Sequence, residues 1–79
     1  MFVYILKSKF DGAYYVGMTS NLLDKLKYHN SGKVRSTKSR IPWEIVYYEE
    51  TESLGAARVR EKYLKSAAGR RFRKEILGD

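Results

Sequence analysis

The sequence predicts an α+β fold with the element order ββαβαα. Two apolar runs on either side of an Asp11-Gly12 turn signal predict a β-hairpin, and a β-rich alternating run predicts a third strand over residues 43–49. Stretches that follow capping residues and end near glycine predict the helices. Residues 1–79 contain no repeat, low-complexity tract or linker, so we expect them to form a single domain.

The predicted hairpin carries one tyrosine on each arm, Tyr4 and Tyr15. With an even loop and no bulge, opposite residues have indices that sum to an odd number, which places both tyrosines on one face. Gly17 lies on that face as well, and glycine weakens a strand unless something must approach the backbone closely. A phosphate is one candidate for that role. The alternative is that both tyrosines are ordinary core residues.

Capping residues ahead of Leu22 predict the first helix over residues 21–30. At 100° per residue, Lys25 and His29 lie one turn apart on the flank of its apolar face, where they should border the sheet. A single histidine is more often a capping or surface residue, and this alternative stays open for His29.

Two further helices are predicted after the third strand. Caps at residues 51–53 begin a helix of about fifteen residues that Gly69 should close. A short last helix over residues 70–77 would then face Phe72 and Ile76 inward.

Glu61 lies near the middle of the apolar stripe of the penultimate helix. Burying a carboxylate without a partner would cost several kcal/mol, so Glu61 needs a cation, a hydrogen-bonded base or a rim open to water. One interpretation is a structural ion pair with Arg58, Lys62 or Lys65. The other is an oxygen ligand for a hydrated magnesium ion, which commonly uses one or two carboxylates plus substrate phosphate.

The composition excludes several kinds of site. The chain has no cysteine, which excludes disulfides and thiolate metal sites, and its single histidine excludes a multi-histidine zinc site. The longest uninterrupted apolar run, residues 2–6, is far shorter than a membrane span or a signal-peptide core. We therefore expect a cytoplasmic protein with no membrane partner.

The net charge of +7 is distributed unevenly along the chain. Residues 25–43 hold six basic residues and no acidic one, whereas residues 44–52 hold four acidic residues and no basic one. This pattern favours a polyanionic partner bound by the segments around the third strand. The predicted nucleic-acid contacts in the loop before that strand are Lys33, Arg35, Lys38 and Arg40. The alternative is a solvated charged surface.

Six motifs occur in a fixed order: Phe2-Val3-Tyr4, Tyr15-Val16-Gly17, His29-Asn30-Ser31-Gly32, Thr37 spaced from Pro42-Trp43, Val46-Tyr47-Tyr48-Glu49 and Ala57-x-x-Arg60-Glu61. Taken together, they resemble the GIY-YIG nuclease superfamily over essentially the whole chain. The set is most similar to short stand-alone bacterial members related to the N-terminal nuclease domain of excinuclease C.

The resemblance implies a small three-stranded antiparallel sheet flanked by helices. It also implies a metal-dependent endonuclease that hydrolyses DNA phosphodiester bonds with one Mg²⁺ or Mn²⁺ ion bound by Glu61. Tyr4 and Tyr15 would position and deprotonate the attacking water, and His29 would belong to the active face. Because phenols titrate near pH 10, this role requires nearby cations to lower their pKa.

Three positions depart from the family pattern. Lys25 stands where the family has a catalytic arginine, Phe2 replaces the opening glycine, and Met18 stands where excinuclease C has lysine. Arginine offers phosphate a rigid bidentate fork whereas lysine offers a flexible point charge, so we expect weakened catalysis.

Three functional hypotheses follow. The first is a nicking or structure-specific endonuclease for branched, damaged or irregular DNA, with a possible role in DNA repair and a possible protein partner that supplies specificity. The second is a catalytically silent nucleic-acid-binding module. The third, a small basic protein associated with RNA or ribosomes, fits the charge but does not explain Glu61 or Gly17.

Overall fold

The computed structural model describes residues 1–78, which form a three-stranded antiparallel sheet flanked by helices. The strands are β1 (Phe2–Ser8), β2 (Tyr14–Thr19) and β3 (Trp43–Glu50), arranged in the order β2-β1-β3. The helices are α1 (Leu22–Asn30), α2 (Leu54–Leu64) and α3 (Ala67–Leu77). The predicted α+β class and the order ββαβαα are confirmed.

The register of the hairpin follows the predicted pairing rule. Tyr4 lies opposite Gly17 and Leu6 lies opposite Tyr15, so both pairs have indices that sum to an odd number. Gly12 takes a left-handed backbone conformation in the turn, with φ of 77°, which glycine adopts without steric cost. Because side chains alternate along a strand, Tyr4, Tyr15 and Gly17 share one face of the sheet.

The sheet is covered on both faces. On one face, Val3 and Ile5 of β1 pack in a cluster with Ala57 and Leu64 of α2. On the other, Tyr4 and its neighbours pack in a second cluster that includes α1 and Trp43. The central strand β1 is therefore buried from both sides, which explains its uninterrupted apolar run. Within residues 1–78, no helix has the length and apolar character needed to cross a membrane.

Helix α1 begins and ends close to the predicted residues. The Asn21 side chain accepts a hydrogen bond from the backbone N–H of Asp24 at 3.0 Å, as an N-cap does. His29 is buried against Tyr4 of β1, so it borders the sheet as predicted, whereas Lys25 is half-buried. Leu23, which the sequence places on the apolar face, is exposed.

The prediction that one helix of about fifteen residues runs to Gly69 is wrong. Helix α2 ends at Leu64, and Ser66 caps α3 by accepting a hydrogen bond from the N–H of Gly69 at 3.3 Å. Gly69 is buried in the first turn of α3, where a Cβ atom would overlap the backbone of Leu64. Its role is thus to let α3 approach the end of α2, not to close a helix. Phe72 packs inward as predicted, but Ile76 is exposed.

We expect Gly69→Ala to lower the free energy of unfolding by about 1–3 kcal/mol, because the added methyl group must push the two helices apart. Gly55→Ala is a matched control, since the nearest atom to its new Cβ would be Ser53 Oγ at 3.9 Å. That variant should be neutral or more stable by up to about 1 kcal/mol. Chemical denaturation measures both, and equal effects of the two variants would contradict the helix-approach explanation.

Candidate active site

His29 is at the centre of a buried polar cluster. Its imidazole is 1 % exposed, with Nε2 lying 3.1 Å from the Tyr4 hydroxyl and Nδ1 lying 3.0 Å from Thr37 Oγ1. The Tyr15 ring meets the imidazole edge to face, with centroids 4.9 Å apart. The structure thus brings together three of the predicted site residues, Tyr4, Tyr15 and His29.

The Thr37 hydroxyl also lies 3.5 Å from the carbonyl oxygen of Val34. We assign the tautomer in which this hydroxyl donates to Val34 and its oxygen accepts from Nδ1–H of His29. In that tautomer Nε2 has a free lone pair, and the Tyr4 hydroxyl donates to it. A proton on Tyr4 is therefore directed at a base.

The loop that supplies Thr37 is fixed by Trp43 and Asn30. The indole Nε1–H of Trp43 donates to the Thr37 carbonyl at 2.9 Å. The Asn30 side chain accepts from the backbone N–H of Trp43 at 2.6 Å and donates to its carbonyl at 3.0 Å. Trp43 is 4 % exposed and anchors the loop in the core. The bond from Thr37 to His29 was not predicted, because the only signal for Thr37 in the sequence is its spacing from Pro42-Trp43.

Gly17 has a structural explanation different from the predicted one. A Cβ at this position would lie 2.5 Å from the Tyr4 hydroxyl oxygen and 3.2 Å from Cε1 of Tyr15. The group that approaches the Gly17 backbone closely is therefore the Tyr4 phenol. Contact of Gly17 with nucleic acid stays a prediction.

Glu61 on α2 is half-buried, and its negative charge is one of the causes that raise the pKa of Tyr4. The Lys65 ammonium lies 3.6 Å from the Glu61 carboxylate, one turn along the helix. An ion pair at a partly exposed position is weak. The structural ion pair that was one interpretation of Glu61 is therefore present, but it leaves the carboxylate available.

The pKa of Tyr4 is raised, which is the opposite of what a phenolate base requires. Burial of the hydroxyl is the main cause, followed by the nearby Tyr15 and Glu61. Tyr4 is 1 % exposed and stays neutral at physiological pH. In the protein itself, the expected lowering of this pKa by neighbouring cations does not occur.

The pKa of His29 is lowered, first by burial and then by the charge of Lys25. The ring is therefore neutral at pH 7 and keeps one nitrogen free to accept a proton. Lys25 lies near the site, with its ammonium 5.2 Å from the centroid of the Tyr28 ring.

A second polar network fixes the helix that carries Glu61. Arg60 Nε donates to a Glu49 carboxylate oxygen of β3 at 2.5 Å, and the Tyr47 hydroxyl donates to the other oxygen at 2.5 Å. The Arg60 guanidinium also lies about 5 Å from the ring centroids of Tyr63 and Phe72. Arg60 precedes Glu61 directly, so this network sets the position of the helical turn from which Glu61 projects. In the sequence, Arg60 belongs to a motif, but no pattern there indicates this role.

The basic loop, residues 33–40, begins beside the cluster around His29. Lys33, Arg35, Lys38 and Arg40 are all exposed, and the buried Thr37 between them attaches the loop to His29. Arg40 forms a partly exposed ion pair with Asp11 of the hairpin at 3.2 Å. The loop therefore presents its positive charges to solvent from a fixed point next to the imidazole.

The donor set fits a metal ion held jointly with a substrate. Within the described residues, no three His, Cys, Asp or Glu side chains lie close enough together to hold an ion alone. Glu61 provides one half-buried carboxylate whose charge acts on Tyr4. Mg²⁺ is commonly bound by one or two carboxylates with the remaining positions filled by water and substrate phosphate, which matches this single acid.

Comparison with known proteins gives a consistent family assignment. A profile of the GIY-YIG catalytic domain matches residues 1–75. The UPF0213 protein CPE1444 of Clostridium perfringens (strain 13 / Type A) is 43 % identical over 65 residues, which cover 81 % of this chain and 69 % of that protein. The UPF0213 protein of Syntrophus aciditrophicus (strain SB) is 41 % identical over 66 residues, covering 81 % of this chain and 75 % of that protein.

The UPF0213 protein YazA of Bacillus subtilis (strain 168) is 36 % identical over 76 residues, covering 95 % of this chain and 74 % of that protein. No solved structure matches the chain. This chain thus spans about two thirds to three quarters of the length of these three relatives.

His29 is the single histidine of the chain, so its titration can be followed by NMR without assignment ambiguity. We expect its pKa to lie below the ordinary value of 6.5 and to rise in Lys25→Met, which removes the neighbouring charge. Lys27→Met is the matched control, since Lys27 is an exposed cation on the same helix. An unshifted pKa, or equal effects of both variants, would contradict the electrostatic description of the site.

The lowered pKa of His29 also predicts how the stability of the protein depends on pH. Because the folded-state pKa of His29 is lowered, the unfolded chain binds the proton more readily. The stability linked to His29 is therefore complete above pH 6.5 and is lost as the pH falls toward the folded-state pKa. Thermal unfolding of the wild-type protein from neutral pH down to about pH 5 measures this loss.

Proposed function

Because the chain belongs to the GIY-YIG family, we propose that it is a divalent-metal-dependent endonuclease that hydrolyses DNA phosphodiester bonds. Family membership supports a nuclease function. The metal dependence, the DNA substrate and the residue roles described next are our proposal. The observation that carries it is the buried cluster of Tyr4, Tyr15 and His29, and the effect of the Glu61 charge on the pKa of Tyr4 supports it.

The hydrogen bond between Tyr4 and His29 provides a route for the proton of the attacking water. With its pKa raised, Tyr4 is a poor base by itself, but it can accept a proton from water while its own proton passes to His29 Nε2. The hydroxide attacks phosphorus and the bond from phosphorus to the leaving oxygen breaks. His29 holds the proton taken from the water, and the leaving oxygen takes up a proton from solvent. The negative charge of a bound phosphodiester beside His29 favours this imidazolium.

Glu61 is the residue proposed to hold Mg²⁺ or Mn²⁺. When bound, the ion would neutralise charge that develops on the phosphate during displacement. The Arg60 network keeps the turn that bears Glu61 against β3, and Tyr15 keeps its ring against His29. The site residues would thus hold their positions before a substrate binds, which lowers the cost of organising them.

The exposed basic loop is proposed to bind the DNA backbone. Contacts of Lys33, Arg35, Lys38 and Arg40 with phosphates would give affinity that falls with salt concentration and carries no sequence information. Specificity for branched or irregular DNA, or its supply by a protein partner, would have to come from other contacts.

Lys25 favours a second candidate function, a nucleic-acid-binding module with little or no catalysis. A lysine in the place of the family's catalytic arginine lacks the bidentate fork that holds a phosphate in one orientation. The charge of Lys25 helps to lower the pKa of the His29 imidazole, which supports a position of Lys25 near this ring.

We expect the wild-type protein to nick supercoiled plasmid in the presence of Mg²⁺ or Mn²⁺ and Glu61→Gln to lose this activity. Lys65→Met is the matched control, because it removes the same ion pair but leaves the carboxylate in place. If Lys65→Met loses as much activity as Glu61→Gln, the ion pair matters and the metal role fails. Equal nicking by wild type and Glu61→Gln would identify the activity as a contaminant.

We expect Lys25→Arg to increase the nicking rate by roughly 10²-fold, by analogy with the loss that follows removal of one transition-state donor. The rate is measured with the same plasmid at several concentrations of Mg²⁺ and Mn²⁺, with Lys27→Arg as control. No gain at any metal concentration, together with salt-sensitive DNA binding that survives Glu61→Ala, would instead support the silent binding module.

A further inference from the structure

An open groove of about 590 Å³ lies between the end of β3 and helix α2, apart from the Tyr4 and His29 cluster. One wall is formed by Ala56, Val59 and Tyr63, which lie on one face of α2 at helical spacing. Val59 is 72 % exposed and Tyr63 is 40 % exposed, so this wall is an uncovered apolar surface. None of these three wall residues has a role in the proposed nuclease mechanism.

The opposite wall carries negative charge. It is formed by the end of β3 and the residues that follow, including Glu49, Glu50 and Glu52. Glu49 is neutralised by Arg60, but Glu50 and Glu52 are exposed, and the structure shows no ion pair for either within residues 1–78. These acids belong to residues 44–52, a segment without a basic residue in a chain of net charge +7. Such a wall repels phosphates, so nucleic acid is not its ligand.

The groove lies at the end of an edge strand, because Glu49 and Glu50 are the last residues of β3. In the order β2-β1-β3, β3 pairs with β1 on one side, and its outer edge has no strand partner among residues 1–78. Extended peptides bind at such positions, with main-chain hydrogen bonds giving affinity and side-chain pockets giving specificity.

We propose that this groove binds an extended segment of a partner protein in which an apolar residue is flanked by Lys or Arg. The apolar side chain would pack between Val59 and Tyr63, and the basic side chains would face Glu50 and Glu52. The wall from residue 56 to residue 63 is about 10 Å long, at about 1.5 Å per helical residue. About three extended residues span that length, at about 3.3 Å each. The recognised motif is therefore short.

The charge of the groove also selects against other strands. Exposed acids at the end of an edge strand discourage an acidic segment from binding, while a basic segment gains from the same charges. The partner proposed here is therefore distinguished by its chemistry as well as by its extended shape.

The test is selection from a displayed library of random peptides against the immobilised full chain, followed by fluorescence anisotropy of the enriched peptides. We expect enrichment of peptides with an apolar residue between basic ones. Glu52→Lys should weaken their binding by about tenfold or more, because it turns an attraction into a repulsion. Glu75→Lys is the matched control, since Glu75 is an exposed acid on α3, and it should change binding by less than about twofold.

Val59→Asn tests the apolar wall and should also weaken binding, while NMR spectra confirm that the fold is kept. Failure to enrich basic-apolar peptides, or equal effects of Glu52→Lys and Glu75→Lys, would overturn the proposal. A dimer in sedimentation that Val59→Asn dissociates would overturn it as well, because a second copy of the chain would then cover the groove. None of these outcomes bears on the nicking assays, so the two proposals can fail separately.

Discussion

The hydrogen bond between Tyr4 and His29 is the constraint on which the candidate site depends. Both side chains are almost completely buried in a small protein, and buried polar groups are costly unless they are paired. Pairing the polar groups of these two side chains requires several other features of the structure. Gly17 must lack a side chain so that the Tyr4 phenol can lie over its backbone, and Thr37 must reach into the core to bind the second imidazole nitrogen. Because Thr37 belongs to the basic loop, its hydrogen bond with His29 also fixes where that loop begins.

A second constraint acts on the other side of the sheet. Glu61 lies on α2, which packs on the face opposite Tyr4, yet its charge reaches the Tyr4 hydroxyl. If α2 slid or rotated on the sheet, this effect of the Glu61 charge on Tyr4 would change. Arg60, which directly precedes Glu61, opposes such movement. It does so through its ion pair with Glu49 and through the aromatic rings around its guanidinium. Arg60 thus acts on the site through the helix without being a ligand or a proton carrier.

The electrostatics of the chain separate two surfaces. Burial keeps Tyr4 protonated and His29 neutral, so the two groups form a hydrogen bond in their uncharged forms. The basic loop beside them suits a polyanion. The acidic end of β3 borders a groove of different character, with an apolar wall on α2. The net charge of +7 therefore describes neither the basic loop nor the acidic groove.

The sequence by itself determined features that depend on near neighbours: the hairpin and the shared face of Tyr4 and Tyr15, the limits of α1, and the flank position of Lys25 and His29. These follow from alternation, helical period and capping, which act over a few residues. Only the tertiary structure decided that a new helix begins after Ser66, that Gly17 makes room for Tyr4, and that the pKa of Tyr4 rises. Each of these depends on close packing between elements or on burial, and none is encoded in a local pattern. The partnership of Thr37 with His29 belongs to the same class, because a loop threonine acquires its role only when the fold closes around it.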